Sequence, residues 1–366
     1  MTGGHKLKYS ALAVLDGVSQ PPSVSEDSVK KFKKLYRKKV DPEEIAEGIF
    51  NGNVSVLSRA ITLVESSLPE HQAIAQKIIE KCVPRSGNAI RIGITGVPGV
   101  GKSTFIEALG SIITSNGRKL AVLAIDPSSE RSKGSILGDK TRMEKLSIND
   151  NAFIRPSPAA GSLGGVARKT RETVILCEAA GFDTIFIETV GVGQSEISVH
   201  SMVDFFLLLI LPGSGDELQG IKRGIMEMAD SIAITKADGT NLVKSQQALT
   251  EFTAALHLFP PSPFGWIPKV IACSAKENKG LPDIWQIILE NIELARANGH
   301  FIARRKEQAK YWMHETIINT ITSSFYTRKH LKEKVHELEV RLFNNELTPF
   351  QAAQMVLDLY FSKTGK

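Results

Sequence analysis

Residues 90–104 of the chain read Ile90-Arg91-Ile92-Gly93-Ile94-Thr95-Gly96-Val97-Pro98-Gly99-Val100-Gly101-Lys102-Ser103-Thr104. The first six of these residues are mostly β-branched, which indicates a buried strand, and a helical pattern follows the last two. The turn between them has the G-x-x-x-x-G-K-S spacing of a P-loop, in the strand–loop–helix context that this motif requires. Glycines let successive N–H groups face one ligand, and a helix N-terminus carries the positive end of a dipole. The stretch therefore predicts phosphate binding.

The residues of this P-loop have separate predicted roles. Lys102 should reach the β- and γ-phosphates, and the Ser103 hydroxyl should ligate Mg²⁺. A glycine-rich turn that binds no nucleotide is the alternative, which the flanking strand and helix disfavour. We therefore expect a magnesium nucleoside triphosphate to contact Gly96, Val97, Pro98, Gly99, Val100, Gly101, Lys102, Ser103 and Thr104.

A second motif, Thr235-Lys236-Ala237-Asp238, follows a strand-like run and indicates the base. The Asp238 carboxylate can accept from guanine N1–H and from the exocyclic amine, whereas adenine would present an acceptor there. Lys236 should lie along the base. Thr235 departs from the asparagine that most GTPases carry, but the discriminating carboxylate is present. Backbone N–H groups of a loop after the next strand should complete a pocket for GTP or GDP: Cys273-Ser274-Ala275-Lys276.

A third motif should end at the γ-phosphate and its metal ion: Phe182-Asp183-Thr184-Ile185-Phe186-Ile187-Glu188-Thr189-Val190-Gly191. Glu188 stands where aspartate is more usual, so its carboxylate should contact metal-bound water or position the attacking water. The N–H group of Gly191 should bind the γ-phosphate. Val192 follows, where small signalling GTPases place a water-orienting glutamine. Because an apolar side chain cannot orient water, we expect slow intrinsic hydrolysis or a partner that completes the site.

Two aspartates are further candidates. Asp126 ends the second predicted strand, beside the P-loop by sheet topology, so we predict a magnesium role, with helix capping as the alternative. Asp139 lies in Gly138-Asp139-Lys140-Thr141-Arg142-Met143. The predicted catalytic set is Lys102, Asp126, Asp139, Glu188 and Gly191, and the predicted metal ligands are Ser103, Asp126 and Glu188.

Two segments have the composition of functional loops. Pro156-Ser157-Pro158, followed by Gly161-Ser162-Leu163-Gly164-Gly165, indicates a mobile loop, with a plain surface loop as the alternative. Residues 212–224 combine glycines, acids and Lys222 directly after an apolar strand. This composition favours a third nucleotide-responsive loop over a simple turn.

The distribution of apolar runs predicts the fold class. Short aliphatic runs alternate with helix-length segments between residues 89 and 300, which predicts an α/β P-loop domain with a mostly parallel sheet covered by helices on both faces. Residues 1–88 should form a helical N-terminal extension, with one helix starting at Asp41-Pro42 and ending near Asn51-Gly52. Residues 301–366 should form a helical C-terminal arm. Its apolar seam could pack on the chain's own core or make a dimer contact: Leu331, Val335, Leu338 and Leu342.

Composition sets broad limits on the class of protein. The chain has 366 residues, of which 42% are hydrophobic and 23% charged, as is ordinary for globular proteins. The formal charge is +6, and the basic run at residues 30–39 should be a solvated helix face, with an anionic partner as the alternative; we expect no nucleic-acid partner. The three cysteines lie far apart, which favours a reducing compartment. Apolar runs are too short for a membrane helix, so we expect a cytoplasmic protein.

Five long motifs resemble the MeaB/ArgK-type GTPases, the bacterial relatives of the human methylmalonic aciduria type A protein. They are residues 96–104, Asp126-Pro127-Ser128-Ser129, residues 137–143, residues 188–196 and residues 215–222. The resemblance covers nearly the whole chain. It implies a homodimeric, GTP-hydrolysing chaperone that gates adenosylcobalamin loading of methylmalonyl-CoA mutase and protects this enzyme from inactivation. It also implies that Asp126, Asp139 and Glu188 line the magnesium and hydrolysis site, and that the Lys222 loop is a switch coupled to the partner.

Two other functions share the P-loop. GTP-dependent metallochaperones for nickel enzymes usually carry Cys and His clusters near it, and no such cluster is evident in this sequence. A small-molecule kinase of the arginine or ornithine transport type needs an acceptor pocket and a base aimed at it. We find no segment that supplies either.

Overall fold

The computed structural model describes residues 40–126, 143–158, 163–189, 195–213 and 223–364. Within these ranges, strands form one sheet in which every adjacent pair is parallel. The strands are β1 (Ile90–Gly96), β2 (Leu120–Asp126), β3 (Ala152–Pro158), β4 (Thr184–Thr189), β5 (Phe205–Ile210), β6 (Ser231–Ile234) and β7 (Lys269–Ala272). Their spatial order is β3-β2-β4-β1-β5-β6-β7. The predicted α/β fold with a parallel sheet is confirmed.

Helices flank this sheet and extend the chain at both ends. In chain order they are α1 (Pro42–Phe50), α2 (Val54–Glu65), α3 (Pro69–Cys82), α4 (Lys102–Ser115), α5 (Glu144–Ser147), α6 (Leu163–Ala179), α7 (Ser195–His200), α8 (Arg223–Met228), α9 (Leu242–Leu256), α10 (Leu281–Ala297), α11 (His300–Thr327), α12 (Lys329–Phe343) and α13 (Pro349–Thr364). The predicted first helix, from Pro42 to just before Asn51, is confirmed.

Strand β1 shows why the sheet is buried on both faces. Successive side chains of a strand point to opposite faces. Ile92 and Ile94 belong to the core cluster that also contains Phe105 of α4 and Ile288 of α10. Gly93 lies between them and faces the other way, where a Cβ atom would meet a methyl carbon of Val199 at 2.9 Å. Burial on both faces explains the nearly continuous apolar sequence of the central strands.

Strand β3 was not predicted, and the loop predicted at residues 156–158 is wrong. Pro156 and Pro158 lie in β3 and are in register with Ala124 and Asp126 of β2. Because β3 is an edge strand with a neighbour on one side only, it tolerates residues that lack an N–H donor. Leu163 already starts α6, and the glycine at 161 lies outside the described residues.

The N-terminal helices pack against α6. Helix α2 is capped by Asn53, whose side chain accepts from the N–H groups of Ser55 and Val56. At its other end the Glu65 carboxylate pairs with Arg155 of β3, and the Lys169 ammonium group of α6 donates to the Glu65 carbonyl at 2.6 Å. These contacts join the helical extension to the sheet domain.

The C-terminal helices form their own apolar cluster. Leu331 and Leu338 of α12 are buried against Ala352 and Val356 of α13. Helix α13 begins with a capping box, since the Thr348 N–H donates to Gln351 Oε1 at 3.0 Å and the Gln351 N–H donates to Thr348 Oγ1 at 3.3 Å. Two residues of the seam, Leu331 and Leu338, are thus buried within the chain. Among the described residues, no helix has the length and apolar character needed to cross a membrane.

Candidate nucleotide-binding site

Those predicted site residues that the structure describes lie at the carboxyl edge of the sheet. The P-loop leaves the end of β1, and Glu188 ends β4, in register with Ile94. The Thr235-to-Asp238 motif follows β6, and Ser274 follows β7. Strand β1 lies where the strand order reverses, which is the place where open α/β sheets bind ligands.

The backbone conformation of the P-loop requires glycine at two positions. Gly101 precedes α4 with a φ of 96°, in the left-handed region that favours glycine. At Gly96 a Cβ atom would lie 2.6 Å from the carbonyl oxygen of Leu209 in β5. The Val100 side chain between them is fully buried. The Val100 side chain therefore anchors the loop in the core, and the loop backbone can approach a ligand closely.

Lys102 lies inside the loop that it follows. Its ammonium group donates to the carbonyl oxygens of Gly96 at 2.8 Å and Val97 at 3.3 Å. Burial lowers the pKa of Lys102, and the negative charges of Glu188 and Glu196 oppose this by raising it. Ser103 follows in the first turn of α4. An ammonium group and a hydroxyl at the start of a helix are suited to bind phosphates and Mg²⁺.

Two buried glutamates lie near this lysine. Glu188 at the end of β4 and Glu196 in the first turn of α7 are 8% and 2% exposed. Beside Glu188, the hydroxyls of Thr95 and Thr189 are hydrogen-bonded at 2.8 Å. Glu196 was not singled out from the sequence, although it closes the long motif at residues 188–196. Its place in that motif was the available signal.

The base-reading motif is tied to the P-loop by two side chains. The Thr235 hydroxyl, which is buried, lies 2.9 Å from the carbonyl oxygen of Val100 and 3.1 Å from that of Ile210. The Lys236 ammonium group donates to the Gly99 carbonyl at 2.9 Å, from a backbone with a φ of 54°. Thr235 therefore links the two loops, although most GTPases carry asparagine at this position.

Asp238 is oriented by the loop that follows β7. Its carboxylate accepts a hydrogen bond from the buried Ser274 hydroxyl. The Ser274 N–H donates to the carbonyl of Lys279, so its hydroxyl and its backbone donor both have partners within the chain, and its predicted role in the base pocket stays a prediction. Ala275 and Lys276 follow it in the same loop. A fixed carboxylate beside a P-loop can discriminate guanine from adenine.

Some residues with predicted roles lie in segments that the structure does not describe. Asp139 and Gly191 lie outside the described residues, as do Val192 and Lys222. The backbone of Asp126 ends β2, next to the strand that carries Glu188. The roles of Asp126, Asp139 and Gly191 stay predictions.

The fold and the site define a P-loop GTPase. The family model described as "Methylmalonyl Co-A mutase-associated GTPase MeaB" matches residues 57–330, more than half of the chain. The chain therefore belongs to the MeaB family.

Comparisons with individual proteins and with a solved structure are consistent with this family. A probable GTPase of Mycobacterium tuberculosis strain H37Rv is 48% identical over 315 residues, which cover 86% of this chain and 94% of that protein. The mitochondrial methylmalonic aciduria type A homolog of Mus musculus is 43% identical over 331 residues, covering 88% of this chain and 80% of that protein. A solved structure described as a LAO/AO transport system kinase is 34% identical, with a TM-score of 0.68, and covers 87% of this chain and 97% of that one.

Proposed function

We propose that this GTPase is a chaperone of adenosylcobalamin-dependent methylmalonyl-CoA mutase, which gates cofactor loading and protects the mutase from inactivation. The match of residues 57–330 to a family described by its association with that mutase carries the proposal. Kinship to a methylmalonic aciduria type A homolog supports it. The three buried, unpaired cysteines are compatible with a reducing compartment, and we propose the cytoplasm.

In this proposal GTP is hydrolysed at the carboxyl edge of the sheet. Lys102 exchanges the P-loop carbonyls for the β- and γ-phosphates, and Gly191 donates its N–H to the γ-phosphate. Ser103, Asp126 and Glu188 supply hard oxygen donors that would hold Mg²⁺, whose charge offsets that of the phosphates. Glu188 also orients the attacking water, with Asp139 as a further acidic group.

Guanine reading in this proposal depends on Asp238. Its carboxylate accepts from N1–H and the exocyclic amine, Ser274 holds it in place, and Lys236 lies along the base. Replacing Asp238 with Asn should lower GTP affinity by at least about a hundredfold, or ~2.7 kcal/mol. The same change should improve binding of xanthosine triphosphate, whose 2-oxo group suits an amide donor.

Equilibrium titration with both nucleotides tests this substitution. Asp283→Asn, in the first turn of α10, removes a carboxylate of the same size elsewhere and serves as the matched control. Unchanged GTP affinity in the Asp238→Asn protein would remove Asp238 from base reading.

Turnover measurements test the chaperone proposal. The isolated protein should hydrolyse GTP well below the usual enzyme rate of roughly 10 per second, because an apolar Val192 cannot orient water. Addition of the mutase should raise this rate, and Lys102→Ala should abolish turnover in both conditions. Fast hydrolysis by the isolated protein that does not respond to the mutase would contradict the proposal.

A small-molecule kinase is the second candidate, since the solved structure at TM-score 0.68 carries that description. A kinase would consume nucleotide in proportion to an added acceptor such as arginine or ornithine. The same turnover assay, run with each amino acid and without the mutase, separates the two functions.

A further inference from the structure

The first half of α11 binds the backbone of the segment that connects α7 with β5. Arg304 donates to the carbonyl of Asp204 at 3.0 Å, Gln308 to that of Val203 at 2.8 Å, and Trp312 to that of Ser201 at 3.0 Å. The donors are four residues apart and therefore lie on one stripe of the helix. Gln308 and Trp312 are 8% and 5% exposed. In such a dry contact, losing a donor leaves a buried carbonyl without its partner.

Helix α7 connects this contact with the phosphate site. Its last residue, His200, lies 3.2 Å from the Arg304 guanidinium through Nε2. Burial, assisted by the charge of Arg304, lowers the pKa of His200 to about 4, so the neutral imidazole accepts from Arg304. At the other end of α7, the buried Glu196 acts electrostatically on Lys102. From Glu196 to His200 the helix spans about 6 Å, so α7 connects the surroundings of the P-loop lysine with α11.

The packing around α7 leaves little room for independent movement. Val199 lies so close to β1 that only glycine fits at position 93. In the segment after α7, the Asp204 carboxylate accepts from Nε and Nη2 of Arg305, at 2.8 and 2.6 Å, and from the Arg91 N–H at 2.8 Å. Because packed interiors shift between discrete arrangements rather than deform freely, a displacement of α7 must move what it contacts.

We infer that α11 is coupled to the nucleotide state through α7, so that exchange of GDP for GTP changes how the C-terminal helices are held. The inference rests on the proposed GTP-dependent function. Helix α11 continues from Trp312 to Phe325, roughly 20 Å further along, where the Phe325 ring packs 5.2 Å from that of Tyr360 in α13. The stripe formed by Arg304, Gln308 and Trp312 would thus connect a conformational change at the phosphate-binding site with α12 and α13.

Hydrogen exchange, measured on the full chain with GDP and with a non-hydrolysable GTP analogue, tests this coupling. We expect peptides from α7 and from α11 to α13 to differ in protection between the two nucleotide states. Identical exchange from residue 300 onward, in a protein that binds both nucleotides, would overturn the inference and leave the proposed function intact. Failure to bind either nucleotide would instead remove the proposed function, and the inference with it.

A double variant, Gln308→Leu with Trp312→Phe, tests the stripe itself. It should lose the nucleotide-dependent difference in α11 to α13 and keep the difference in α7. Since coupling is reciprocal, its ratio of GTP-analogue to GDP affinity should change by at least about fivefold. Asn319→Leu is the matched control, because that amide donates within α11, to the Glu315 carbonyl. Trp312→Phe alone keeps an aromatic ring and removes one donor, and it replaces the double variant if that does not fold. Wild-type behaviour of the variant protein would overturn the role of the stripe.

Discussion

Thr235 occupies the position at which most GTPases carry asparagine, and its hydroxyl lies between two carbonyl oxygens. One belongs to Val100 in the P-loop and the other to Ile210 at the end of β5. The threonine backbone N–H also donates to Ile210, at 2.8 Å. The backbone hydrogen bond therefore positions the Thr235 hydroxyl beside the Val100 carbonyl. This contact joins the base-reading loop to the phosphate-binding loop.

Thr235→Val should weaken both stability and nucleotide binding. The change keeps the side-chain shape but removes the donor, and a buried carbonyl left without its partner costs about 1–3 kcal/mol. We expect the free energy of unfolding, measured with urea, to fall by that amount. GDP affinity should fall by about tenfold, which corresponds to ~1.4 kcal/mol.

Thr235→Ser keeps the hydroxyl and controls for the change of side chain. It should retain most of the stability and the affinity. Equal behaviour of the valine and serine proteins would show that the hydroxyl does not link the two loops.

The site residues differed in how far the sequence could predict them. Lys102 and Asp238 belong to motifs whose spacing and flanking strands determine their position, so the sequence predicts directly where they lie in the fold. The hydroxyl contacts of Thr235 and Ser274 were not found, because each depends on a backbone atom or carboxylate more than thirty residues away. Such long-range contacts leave no local pattern in a single sequence.

At the scale of secondary-structure elements, β3 likewise could not be predicted from its local sequence. Pro156 and Pro158 locally favour a loop, and only the position of β3 at the sheet edge makes a strand compatible with them. Helix α11 was predicted as a helix, but its docking face was not. In the sequence, Arg304 and Gln308 resemble ordinary surface residues. The carbonyl groups to which they donate lie about a hundred residues earlier in the chain.

Docking of α11 should depend strongly on Arg305. Its guanidinium pairs with Asp204, which is 5% exposed, and also donates to the Ala89 carbonyl at 2.6 Å. Arg305→Met keeps a long side chain but leaves the carboxylate buried without its partner. Breaking a buried pair from one side costs about 3–5 kcal/mol, and urea unfolding of the full chain should show a loss of this size.

Lys334→Met is the control for this prediction. The bridge from Lys334 to Glu337 lies on the surface of α12, where such pairs contribute about 0–1 kcal/mol. A loss below about 1 kcal/mol in the Arg305→Met protein would show that Asp204 finds other partners and that α11 docks without the pair.

At the scale of the whole molecule, the C-terminal helices carry an apolar face that the described residues leave exposed. Tyr326 of α11 and Phe361 of α13 are 60% and 66% exposed. Both line a groove of ≈ 530 Å³ over α11, α12 and α13, together with Ile321 and Leu357. Apolar residues clustered in this way are typical of a protein interface. We propose that a second copy of the chain occupies this face, in the homodimer that the family resemblance implies.

The dimer proposal predicts how charge on this face changes the assembly. Ile321→Glu with Phe361→Glu would bury two carboxylates in the interface, where unpaired charge is strongly unfavourable, so sedimentation should shift from twice the chain mass to the chain mass. Phe343→Glu is the matched control, because Phe343 is 89% exposed on α12 and lies outside the groove. That protein should sediment as wild type does. An unchanged mass for the Ile321→Glu, Phe361→Glu protein, with its helices intact by circular dichroism, would show that the groove is not the dimer contact.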